Sequence, residues 1–235
     1  MTSEAEESGV QAYGLRNHVA RIPWGICFDD LTARTGDTIP FADAVRGRRV
    51  LLFLSRLHPI KGLDCLVAVW TRLAPQFPDW HLVIAGPDEK GCAARAQQVV
   101  DCGGVAAQTT FCGPLYGAAR RAALARADLF VLPSRHENFG LVVAEAAYSG
   151  KPVITTQETP WSGLETRQAG WWIPAGQQAL EKTLHAAMGL EPAALQGMGS
   201  RGRDWVTEMF AWPRIAEQMC QMYAAALANR WRTVQ

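Results

Sequence analysis

The chain has 235 residues, 49% of them hydrophobic, and its 23 Lys and Arg against 22 Asp and Glu leave a formal net charge of +1. That is enough apolar material for a sizeable core and too little charge to draw nucleic acid by electrostatics. No apolar run approaches the ~20 residues needed to span a bilayer, and Met1-Thr-Ser-Glu-Ala-Glu-Glu-Ser8 is acidic, without the apolar stretch of a signal peptide.

In chain order, Ser3 is placed to cap a short helix ending near Gly14. From Val50 onward short apolar strands alternate with amphipathic helices. The strands are Val50–Leu54, Leu82–Ala85, Thr109–Phe111, Leu129–Leu132, Val153–Thr155 and Trp171–Ile173. Between them helices are expected over residues 62–74, 90–102, 116–126, the segment after Glu137, and 161–168. Alternation with short connections predicts an α/β fold, a Rossmann-like doubly wound parallel sheet built from βαβ units. After residue 176 the pattern is helical, and the last helix, from Pro213 to near Trp231, carries the apolar stripe Ile215, Met219, Met222, Tyr223 and Ala226. Cys27, Cys65, Cys92, Cys102, Cys112 and Cys220 form no C-x-x-C pair, and several lie in apolar runs. They read as buried, reduced thiols, and the expected compartment is the cytoplasm.

Two segments carry chemistry. Ser134-Arg-His-Glu137-Asn-Phe-Gly140-Leu-Val-Val-Ala-Glu145 follows an apolar strand and precedes a helix that Gly150 and Pro152 stop. The free N–H groups of Phe139, Gly140 and Leu141 at that helix start suit an anion such as a diphosphate. Ser55-Arg56-Leu-His-Pro-Ile-Lys61-Gly62 follows another strand, so Arg56 and Lys61 sit at a strand's carboxyl end, where open α/β sheets bind ligands.

R-L-x-x-x-K-G after a strand, then Glu137 and Glu145 at E-x7-E spacing ahead of Gly150-Lys-Pro-Val-Ile154, resembles the retaining glycosyltransferases of family four, with the GT-B fold. Leu82-Val-Ile-Ala-Gly86, Phe111-Cys-Gly113, Thr159-Pro-Trp161, Gly170-Trp-Trp172 and Phe210-Ala-Trp212 extend the resemblance over nearly the whole chain. It implies the C-terminal half of that fold, with extra C-terminal helices. Residues 1–22 would be an entry segment from a missing N-terminal acceptor domain, 23–210 the nucleotide-sugar-binding domain and 211–235 a crossover helix. Arg56 and Lys61 would hold the donor diphosphate and stabilise the leaving phosphate. Glu137 would accept hydrogen bonds from the transferred sugar, and Glu145 would hold the ribose. Asn138, Phe139, Gly140 and Leu141 would offer backbone N–H groups to the phosphates. Phe111, Cys112, Gly113 and Leu115 would border the base. The implied partner is a nucleoside diphosphate sugar, with no cofactor and no metal. Peripheral membrane contact and self-association stay open.

A glycosidase needs carboxyls about 5–9.5 Å apart, whereas eight helical residues span about 12 Å. A non-catalytic nucleotide-binding module stays open, and an epimerase fits the E-x7-E spacing less well. Gly197-Met-Gly199-Ser-Arg-Gly202 follows no strand, so it is expected to shape a turn rather than bind a dinucleotide. His18, His58, His81, His136 and His185 lack metal-ligand spacing. Trp161, Trp171 and Trp172 fit either ligand stacking or packing beneath the sheet edge. Trp24 stands where the family commonly has Asn before Gly25.

Overall fold

The computed structural model describes residues 4–14 and 19–228. One sheet holds six strands: β1 (Arg49–Leu54), β2 (Trp80–Ala85), β3 (Thr109–Gly113), β4 (Leu129–Leu132), β5 (Val153–Thr156) and β6 (Gly170–Ile173). Their order is β3-β2-β1-β4-β5-β6, and every neighbouring pair is parallel. β2, β4 and β5 are buried at every position, as continuous apolar runs in a sheet covered on both faces must be. The order reverses between β1 and β4, which opens a crevice beyond their carboxyl ends.

The helices are α1 (Glu4–Ala12), α2 (Leu63–Leu73), α3 (Cys92–Cys102), α4 (Gly117–Arg126), α5 (Leu141–Tyr148), α6 (Gly163–Thr166), α7 (Gln177–Met188), α8 (Pro192–Phe210) and α9 (Trp212–Leu227). The expected strands and helices all form, most shifted by one or two residues at an end. Ser3, His18 and Trp231 lie outside the described residues.

Two expectations are corrected. Gly197, Gly199 and Gly202 shape no turn; they lie inside α8. A Cβ on Gly199 would sit 1.8 Å from the Gly150 carbonyl oxygen, and one on Gly202 would sit 3.3 Å from Cβ of Ala169. Gly199 and Gly202 let α8 press against the end of α5, and the packing outweighs their low helix propensity. The cysteines are free, as expected, but Cys27, Cys102 and Cys220 are exposed and only Cys92 is fully buried. Helical periodicity puts Cys102 and Cys220 on outer faces, which an apolar run alone does not reveal. On α9 the stripe is graded: Ile215 is buried, Met219 and Met222 are half-buried, and Tyr223 and Ala226 are exposed.

Candidate functional site

The crevice is built from two loops that approach closely. After β1 the chain makes a 3-10 turn at Pro59–Lys61, then Gly62 takes a left-handed conformation (φ 73°) and starts α2. A Cβ on Gly62 would lie 2.0 Å from the Pro133 carbonyl oxygen in the loop after β4, so only glycine permits this crossing. The loops are also tied by Arg135, whose backbone N–H donates to the Ile60 carbonyl at 2.7 Å and whose guanidinium donates to the Pro59 carbonyl at 2.8 Å. On the other side the Glu137 N–H donates to the Glu158 carbonyl at 3.0 Å, and the Thr156 hydroxyl donates to the Ser134 carbonyl.

This stitching brings Lys61 and Glu137 together from 76 residues apart, and their side chains form an ion pair. Both are shielded, at 10% and 15% exposure. Gly140, again left-handed (φ 77°), sends the chain into α5 at Leu141, two residues later than Phe139, the expected start. Phe139 turns its ring inward against Trp161 and Phe210, and the Trp161 indole donates to its carbonyl. Phe139 therefore offers a ligand only its backbone. The N–H groups of Asn138, Phe139, Gly140 and Leu141 meet no protein acceptor among the described residues, at the positive end of α5.

Arg56 lies earlier in the loop after β1 that also holds Lys61. Its Nη1 contacts the two Glu89 carboxylate oxygens at 3.0 and 3.1 Å, and its side chain is 58% exposed. Glu145, on α5, is 13% exposed and forms an ion pair with Arg120 of α4. Burial pushes the Glu145 carboxyl up from its ordinary value, and the Arg120 charge opposes that push. Glu145, Arg120 and Leu141 line a cleft of about 580 Å³ with Gly25, Gly117 and Trp212. The two glutamates thus face different cations. Phe111, Cys112 and Gly113 end β3 at the sheet's edge, where burial pushes the Cys112 thiol up to about 11. Leu115 is buried, and none of these four residues lines the Glu145 cleft.

A family model described as glycosyl transferases group 1 matches residues 48–188. The chain belongs to that family. It is 32% identical over 193 residues to a glycogen synthase of Mycobacterium tuberculosis, spanning 77% of this chain and 43% of that one. Its fold matches the Anabaena protein HepE in complex with UDP and glucose with a TM-score of 0.82 and 21% identity, covering 95% of this chain and 62% of that one. It also matches the C-terminal domain of a group 1 glycosyl transferase from Francisella tularensis, with a TM-score of 0.66 and 20% identity over 80% of this chain and 100% of that one. This chain therefore spans less than half the length of its mycobacterial relative.

Arg120 and Glu89 had no signal in the sequence. Arg120 stands in Arg120-Arg121, and Glu89 in Asp88-Glu89-Lys90, patterns that read as solvated surface. Their partners are 25 and 33 residues away. Trp161 is 1% exposed and belongs to the core, and the Trp172 indole donates to the Thr159 carbonyl at 2.9 Å. His136 remains a loop residue, 3.2 Å from the Asn138 side-chain oxygen. Among the described residues no helix is long and apolar enough to cross a membrane.

Proposed function

We propose that residues 23–210 bind a nucleoside diphosphate sugar and form the donor-binding domain of a retaining glycosyltransferase, with the acceptor held by another domain. The observation that carries this reading is the shielded Lys61–Glu137 pair where the strand order reverses, beside the open N–H groups leading into α5. An anion there meets fixed donors rather than reorganising water. The fold likeness to a protein solved with UDP and glucose supports a uridine nucleotide among the donors to test.

In this reading Lys61 exchanges Glu137 for the donor diphosphate, and the released carboxylate accepts hydrogen bonds from sugar hydroxyls. Arg56 adds the second positive charge, Glu145 accepts from the ribose hydroxyls, and Phe111, Cys112, Gly113 and Leu115 border the base. As the glycosidic C–O bond breaks, negative charge grows on the leaving phosphate, where Arg56 and Lys61 stabilise it. The acceptor hydroxyl forms the new C–O bond on the same face, and its proton passes to that phosphate. No protein nucleophile and no metal take part.

The test is titration calorimetry of UDP, GDP and ADP against the parent chain and Arg56→Ala, with and without chelator. Loss of one charge-assisted contact weakens binding by about 1.5–3 kcal/mol, roughly tenfold to more than a hundredfold. Unchanged affinity in Arg56→Ala, or loss of parental binding on chelation, contradicts the assignment.

A further inference from the structure

We propose that Arg120 is a positioning residue for Glu145, holding its carboxylate in place as the acceptor for the ribose hydroxyls of a nucleoside diphosphate. The inference rests on the donor-binding reading above and extends it to a residue on a different helix. Leu141 and Glu145 are one turn apart on α5, and both line the same cleft. A ligand with its phosphates at the open N–H groups of residues 138–141 reaches Glu145 by moving one helical pitch, about 5.4 Å, along α5. Glu145 is 13% exposed there, and the cation paired with it is Arg120.

Other charges line or flank the cleft. Arg121 of α4 is committed to Asp37 through two hydrogen bonds of 3.1 and 3.0 Å. Asp30 and Cys27, from the segment before β1, also line the cleft. On α8, packed against another side of α5, Arg203 stands over the Tyr148 ring. The Arg120 guanidinium reaches Glu145 through Nη2, while its Nε is buried without a hydrogen-bond partner. The pair is asymmetric: the Arg120 side chain is 37% exposed and Glu145 13%, so the guanidinium keeps contact with solvent while it reaches in to a shielded carboxylate.

Without Arg120, burial alone acts on Glu145 and favours its protonated form, which is the weaker acceptor. Nucleotide affinity of a variant lacking Arg120 then falls more steeply than the parent's as pH is lowered. Calorimetry with UDP, GDP and ADP between pH 5.5 and 8 on the parent, Arg120→Met, Arg120→Lys, Glu145→Gln and the Arg120→Met/Glu145→Gln double variant reads this directly. The ratio of parent to variant affinity cancels the titration of the diphosphate itself. That ratio rises about tenfold from pH 8 to pH 5.5 for Arg120→Met, the size of one charge-assisted contact, and stays level for Arg120→Lys and the double variant. Carboxyl carbon NMR of the ligand-free proteins shows the Glu145 titration displaced upward in Arg120→Met.

A level ratio for Arg120→Met, in a chain whose Glu145→Gln variant binds weakly, overturns the positioning role and leaves the donor-binding reading intact. Unchanged affinity in Glu145→Gln removes the ribose contact and this inference with it, while loss of binding in Arg56→Ala still supports the diphosphate site. No binding of any nucleotide by the folded parent overturns both.

Discussion

The Lys61–Glu137 and Arg56–Glu89 pairs both join a cation of the loop after β1 to a carboxylate on a neighbouring loop, yet they belong to different electrostatic regimes. Lys61 and Glu137 are 10% and 15% exposed, whereas Arg56 and Glu89 are 58% and 36% exposed. An exposed pair contributes about 0–1 kcal/mol. Breaking a buried pair strands a charge at a cost of about 3–5 kcal/mol. Arg56 can therefore turn to an arriving phosphate at little cost, while Lys61 leaves Glu137 only when a ligand replaces both partners. In the proposed donor site, Arg56 would then supply a mobile contact and Lys61 one that is held until a ligand arrives.

The largest effect expected is on Lys61. Lys61→Ala loses about 3–5 kcal/mol in urea unfolding because the shielded Glu137 carboxylate is left without its ion-pair partner. The double variant Lys61→Met/Glu137→Leu recovers most of that loss, since apolar groups need no counter-charge. A single-variant loss below about 1 kcal/mol would place this pair in the same regime as Arg56–Glu89.

His81, on β2, extends the comparison to a buried group that meets a like charge. It is 2% exposed, and burial, aided by the Arg48 charge, lowers its pKa from 6.5 to about 4. Arg48 can only donate, so Nδ1 of His81, 3.2 Å away, accepts, and Nε2 donates to the Thr110 hydroxyl at 2.8 Å. That network requires the neutral ring. The unfolded chain binds the proton first, so the contribution is fully present above pH 6.5 and is lost as pH falls toward 4. Chemical denaturation across that window should show about 2–3 kcal/mol of acid destabilisation from this group, and His81→Gln should flatten it. An unchanged slope in His81→Gln would assign the acid sensitivity to other groups.

The smallest effect is on the exposed pair. Arg56→Ala and Glu89→Ala each change stability by less than about 1 kcal/mol, although Arg56→Ala loses nucleotide affinity. A large stability loss in either would show that this pair, too, holds the loops together.

The sheet was legible because its strands are apolar runs bounded by turns, and strands such as β4 leave no polar positions to confuse the reading. Arg56, Lys61, Glu137 and Glu145 were legible as ordered motifs at strand and helix ends. Their partners were not, since Arg120 and Glu89 acquire meaning only when distant segments meet. Gly199 was misread because its demand comes from the Gly150 carbonyl in another element, and a local rule sees only a helix breaker. The expectation that Phe111, Cys112, Gly113 and Leu115 border a base followed from resemblance alone, and the burial of Leu115 was not part of it.

The most direct test of the donor-binding account separates the two glutamates by the part of the ligand each touches. Titrations of a nucleoside diphosphate and its matching nucleotide sugar are compared in the parent, Glu137→Gln and Glu145→Gln. The account predicts that Glu137→Gln weakens the intact nucleotide sugar while leaving the free diphosphate unchanged or tighter, because Lys61 is released. It predicts that Glu145→Gln weakens both alike by about 1.5–3 kcal/mol, since both carry the ribose. Equal losses for both ligands in Glu137→Gln would contradict it.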